Sequence, residues 1–155
     1  MSVPENLEKL AGEWSGTNKL HLSWMENSPF DSESKATINY SAKGFFLKFE
    51  YDWFYEEKLQ EGLILIGKEN DSDLVKSFWI DSWHLSDKFM VSEGNYKADK
   101  AISVKGHYTV PNHPDWGWRT VVEIENEDAF KIVMYNVSPE GEESLAVEAD
   151  YSRQK

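Results

Sequence analysis

The chain contains no cysteine. That excludes disulfides, thiolate catalysis and Cys-ligated zinc, and it removes the usual mark of a small secreted scaffold. Positive charge is also scarce: 16 Lys and Arg stand against 28 Asp and Glu, for a formal net charge of −12. Such a surface repels a phosphate backbone and an anionic bilayer alike, so neither nucleic acid nor membrane is an expected partner; solubility is the simplest use of the charge. No stretch approaches the roughly 18 consecutive apolar residues that span a bilayer. Met1–Leu10 has no apolar run of signal-peptide length, which makes a cytoplasmic location the expectation. A Gly-rich phosphate loop, a Gly-x-Ser-x-Gly elbow and the His-x-His or His-Glu-x-x-His spacings of metal sites are all missing. The residues therefore point to no catalytic group, no metal and no cofactor.

What the sequence does have is aromatic bulk in alternation. Seven Trp, seven Tyr and eight Phe occur in 155 residues, too many for a disordered chain and enough for one domain with a sizeable core or a lined cavity. No linker or composition shift divides residues 1–155, so a single domain is expected. Pro4–Leu10 reads as a short helix ended by Gly12, with Leu7 and Leu10 facing inward.

After that the hydrophobic period is two almost throughout. Strands are expected at Glu13–Glu26, Lys35–Lys43, Phe45–Tyr55, Leu59–Lys68 and Leu74–Trp83, and again at Phe89–Lys97, Ala101–Val110, Trp116–Glu125, Ala129–Val137 and Ser144–Arg153. Turn chemistry such as Asn70-Asp-Ser-Asp and Ser138-Pro-Glu-Gly separates them. Connections this short favour pairing between chain neighbours, and a meander of about ten twisted strands curls until its two edges meet. The expected fold is all-β: a single closed antiparallel up-and-down β-barrel with a short N-terminal helix.

The segment Leu10-Ala-Gly12-Glu-Trp14-Ser-Gly16, together with Tyr151-Ser-Arg153 on the last strand, resembles the two ends of calycin barrels, the lipocalins, fatty-acid-binding proteins and their relatives. In those barrels a basic residue of the final strand packs across the first-strand Trp. The resemblance therefore implies that Arg153 lies over Trp14. Trp116-Gly-Trp118-Arg119, the run from Met134 to Glu143 and Tyr151-x-Arg153 make most of the chain similar to an uncharacterised bacterial family of calycin-like domains, which implies the fold and no activity.

Leu145, Val147, Ala149, Tyr151 and Arg153 share the apolar face of the last strand by simple alternation. A guanidinium there must be paired or stacked, or else Arg153 and Tyr151 hold the carboxylate of an acidic apolar ligand. Fatty-acid-binding proteins use an Arg-x-Tyr pair in this way, the reverse of the order here. The aromatic face of the third strand, with Phe49 and Tyr51, forms either a packed core or a cavity shared with Tyr40, Trp118, Thr120 and Asn136. Phe46 and Phe54, on the opposite face, mark a homodimer contact or ordinary exposed apolar surface. His21 and His107 share faces with Lys19 and Lys105 and are expected in solvent. Nitrobindin, a relative of these barrels, holds haem through a His near its C-terminus, and the last strand here offers none. His84 with Asp81, or His113 with Asp115, would make an acid–base pair only if the fold aimed them at each other. Three readings follow: a barrel binding a small apolar or aromatic, acidic or neutral, ligand; an enzyme working at the barrel mouth through His84, Asp81 or Arg119; or a structural protein forming a homodimer.

Overall fold

A computed structural model describes all of residues 1–155. A 3-10 helix, Glu5–Leu10, precedes ten strands: β1 Gly12–Leu20, β2 Phe30–Ser41, β3 Phe46–Tyr55, β4 Lys58–Lys68, β5 Leu74–Asp81, β6 Met90–Asn95, β7 Ile102–Tyr108, β8 Trp116–Asn126, β9 Ala129–Val137 and β10 Glu143–Arg153. Every strand is antiparallel to its chain neighbours, and β1 also pairs with β10, so the sheet is a closed barrel. This is the architecture expected from the alternation. No helix is long and apolar enough to cross a membrane.

The inward residues form one core, in which Trp14, Trp53, Phe49 and Phe130 are the largest side chains fully withdrawn from solvent. Burying each contributes on the order of 2–3 kcal/mol. One end of the barrel is closed by the 3-10 helix, whose Leu7 and Leu10 are fully buried; the Trp14 Nε1 donates to the Leu10 carbonyl at 2.8 Å. The guanidinium of Arg153 lies 4.3 Å from the Trp14 ring centroid and donates to the carbonyls of Lys9, Ala11 and Glu127. Helix, first strand, last strand and the β8–β9 turn are thus tied at a single cation. Closure also needs Gly16: a Cβ there would fall 1.6 Å from the Asp150 carbonyl oxygen of β10.

Several expectations shift. The first strand ends at Leu20, not Glu26, and Trp24 lies 77% exposed in the following loop. Asn18, for which no place was expected, shares the parity of Trp14 and Leu20 and is buried inside the barrel with them. The second strand begins at Phe30, ahead of the expected Lys35, because Phe30 pairs with Leu20. Phe45 precedes the third strand and is half exposed. On β10 a bulge falls between Leu145 and Val147, so that Leu145 pairs with the outward Tyr135 while Val147 pairs with the inward Met134. The extra residue moves Leu145 off the apolar face on which simple alternation had placed it. Phe46 packs over Gly67, and Phe54 stays partly exposed. His107 is exposed, whereas His21 is half-buried with its Nε2 3.5 Å from a Glu148 carboxylate oxygen.

Candidate functional site

The open end of the barrel is where β5 runs out into the segment before β6. Asp81 is the last residue of β5 and is 2% exposed. Its Oδ1 accepts the backbone N–H groups of Trp83 and His84, at 2.9 and 2.8 Å, so the carboxylate itself folds the chain into a turn. Its Oδ2 accepts the Tyr51 hydroxyl at 2.7 Å and the Trp53 Nε1 at 3.3 Å, and Trp79 Nε1 donates to that same hydroxyl at 2.8 Å. Tyr51 fits against β4 only because residue 62 is glycine: a Cβ there would lie 2.2 Å from the ring. Burial first, then the Asp81 charge, pushes the Tyr51 hydroxyl well above its ordinary value. It is a hydrogen-bonding group and not an acid.

The turn delivers His84 into a cage of indoles. Its ring centroid lies 4.8 Å from Trp83, 5.4 Å from Trp118, 5.5 Å from Trp53 and 5.6 Å from Trp79. Burial lowers the His84 pKa, with the Asp81 charge opposing it, so the ring is neutral near pH 7. Trp79 and Trp118 stack at 5.5 Å with an interplanar angle of 19°. The buried Trp118 Nε1 has no hydrogen-bond partner. Above these rings opens a cleft of about 730 Å³, lined among others by Trp79, His84, Phe89, Met90, Tyr108 and Trp118, with Lys88 and His107 at its rim. Below them lies an inner cavity of only about 20 Å³. A water occupies roughly 10–15 Å³ on such a scale, so the interior has no room for a ring.

The eight residues expected to bind ligand separate accordingly. Trp118 lines the mouth cleft. Asn136 stands nearby, its Oδ1 accepting the Tyr108 hydroxyl at 2.6 Å. Tyr51 and Tyr151 face the inner cavity; the Tyr151 hydroxyl is 2.7 Å from Ser34 Oγ, and burial raises its pKa. Thr120 is buried in the wall, opposite Val104 and Met134. Phe49 belongs to the packed core, edge-on to Phe130. Tyr40 lies at the closed end, 48% exposed, donating to the Glu8 carbonyl. Arg153 is at that end too, on Trp14. The structure therefore brings Trp118 and Asn136 to one place, Tyr51 and Tyr151 to a second just beneath it, and leaves Phe49, Thr120, Tyr40 and Arg153 apart.

The candidate acid–base groups do not converge. Asp81 bonds the backbone N–H of His84 and not its ring, and Arg119 lies on the outer wall, paired with Glu143 and stacked 4.5 Å from the Tyr135 ring. His113 and Asp115 are exposed in the β7–β8 loop. No three His, Asp or Glu side chains come together in a metal-holding group. Reading by strand missed Trp79, Phe89, Met90 and Tyr108 as site residues. The available signal was Trp79-Ile-Asp-Ser-Trp83-His84, four chemistry-bearing residues packed into a strand end and its turn.

Residues 3–153 match the family described as "Protein of unknown function (DUF1579)". No curated protein matches the chain. Among solved structures, the crystal structure of Rv2717c from M. tuberculosis is similar with a TM-score of 0.67 at 12% identity, over 97% of this chain and 96% of that one. The S-type phycobiliprotein lyase CPES from Guillardia theta is similar with a TM-score of 0.61 at 14% identity, over 100% of this chain and 94% of that one. At these identities the likeness concerns the fold alone.

Proposed function

The chain belongs to the DUF1579 family, whose function is unassigned, and from its geometry we propose that it binds a small, planar, largely apolar ligand at the barrel mouth. The observation that carries this reading is the Trp118 indole N–H. It is buried without an acceptor beside the caged His84 ring, at the floor of an aromatic cleft of about 730 Å³. Apolar walls with a few convergent polar groups are the usual form of a small-molecule site, and this volume is within the range such sites occupy. A ligand with an acceptor on its edge satisfies Trp118 while its face lies against the indoles. Lys88 and His107 at the rim suit an acidic substituent. One protein of this fold is a phycobiliprotein lyase, so the barrel tolerates chemistry as well as binding; here, though, the Asp81 carboxylate is fully occupied by four donors.

A panel of aromatic acids, retinoids and fatty acids, titrated against tryptophan emission and thermal unfolding, tests the proposal. Planar aromatic members are expected to quench emission and raise Tm, and Trp118→Ala to weaken them about tenfold through lost stacking. If no compound changes either signal, or if Trp118→Ala binds as tightly as the parent chain, the mouth is not a ligand site.

A further inference from the structure

The small cavity beneath the mouth has polar walls that are almost all committed. The Tyr51 hydroxyl is held between Trp79 and Asp81, the Tyr151 hydroxyl by Ser34, and the Trp53 N–H by Asp81. Apart from the His84 ring, Asn18 is the exception. It lines the cavity from β1, is 5% exposed, and its Nδ2 is a buried donor with no acceptor in the chain. An apolar residue would fill that inward position between Ala149 and Ser32 without leaving a donor unsatisfied. His84 is the one residue that lines both this cavity and the mouth cleft. Its ring is the partition between them.

We propose that the inner cavity is a second binding subsite, taking one small hydrogen-bond-accepting oxygen on the Asn18 amide, reached from the mouth past the His84 ring. The volume of about 20 Å³ admits one water or one carbonyl oxygen and nothing larger. The oxygen comes either from water or from the head group of a ligand whose ring occupies the mouth, and in that second form the inference rests on the mouth reading. A neutral imidazole suits the partition, because it can turn without carrying a charge through a cage of four indoles.

Two measurements test it. In the unliganded protein, NMR is expected to show cross-relaxation between the Asn18 side-chain NH₂ and one long-lived water. For the head group, naphthalene is compared with 2-acetonaphthone and with 4-(2-naphthyl)butan-2-one, the same ring bearing a ketone on a short and a longer tether. If the oxygen reaches Asn18, one ketone binds at least about tenfold tighter than the hydrocarbon, and that ratio falls toward one in Asn18→Leu and in Asn18→Ser. A water at Asn18 with no ketone preference assigns the subsite to water. A preference that the Asn18 variants keep, with no water, overturns the subsite, as does the absence of both water and preference. If the parent chain binds none of the three compounds while the water is present, the mouth reading fails and the inner subsite stands. If one Asn18 variant does not fold, the other decides the head-group arm, and the water measurement on the parent chain needs neither.

Discussion

His84 carries the clearest consequence at the scale of a single residue. Its ring is withdrawn among four indoles, and burial is the dominant influence on its pKa, which lies below the ordinary value of 6.5. Just below that value the unfolded chain therefore takes up a proton that the folded chain refuses. The stability contributed by the neutral ring is complete above about pH 6.5. It declines as the pH falls through the window down to the depressed folded pKa, and then levels off. Glu69, Glu127 and Glu143, whose pKa values are lowered by Lys76, Lys9 and Arg119, act in a separate and more acidic window, losing their contribution only as carboxylates protonate. Urea unfolding at steps between about pH 7 and pH 5 is expected to show a steeper loss for the parent chain than for His84→Gln. Equal slopes would mean that the ring is solvated in the folded state and that the cage does not exist in solution.

At the scale of the element, the segment between β5 and β6 depends on one carboxylate. Asp81 accepts from Tyr51, Trp53 and two backbone N–H groups, so Asp81→Ala strands four donors in or near the interior. The expected loss is about 3–5 kcal/mol in urea unfolding, with Asp81→Asn costing roughly half as much because an acceptor remains. Hydrogen exchange should quicken first at Trp83–Lys88; a loss below about 1 kcal/mol would show that the turn holds itself. The same element explains what was legible beforehand. Alternation such as Leu47, Phe49, Tyr51, Trp53 reports which face is buried, and short polar turns report that neighbours pair; those two facts suffice for a closed meander. They do not report an extra residue, so the β10 bulge escaped and with it the outward turn of Leu145. Nor do they report side chains at strand ends. The mouth is assembled from the end of β5, the start of β6, the end of β7 and the start of β8, and the cage around His84 adds Trp53 from β3, which lies across the ring from Trp118 on β8. The indole cage is a property of closure that no local pattern contains.

On the scale of the whole molecule, the Arg153 tie and the proposed binding site lie at opposite ends of the barrel. At the closed end Arg153 stacks on Trp14 and donates to three carbonyls contributed by the helix, its link to β1, and the β8–β9 turn. At the open end lie Met90 and Tyr108, which line the cleft from β6 and β7, two strands that share one register pair, Glu93↔Lys105. Loosening the closed end should therefore lower the stability of the whole barrel while leaving the mouth's shape in the surviving folded molecules intact, because the cleft is lined by the segment between β5 and β6 and the facing ends of β5–β8, and not by Arg153 or Trp14. Arg153→Ala is expected to cost about 2–4 kcal/mol in urea unfolding through its lost charge-assisted hydrogen bonds and cation–π contact. Under conditions where the variant is still folded, it should bind mouth ligands within about twofold of the parent chain, since affinities of distant, independent sites are additive. Tryptophan-emission titrations beside the unfolding curves check both halves. A large loss of affinity with little loss of stability would return Arg153 to the role of a ligand-holding cation and would require a path from the closed end to the ligand that the packed core, from Trp14 through Phe130 to Phe49, does not offer.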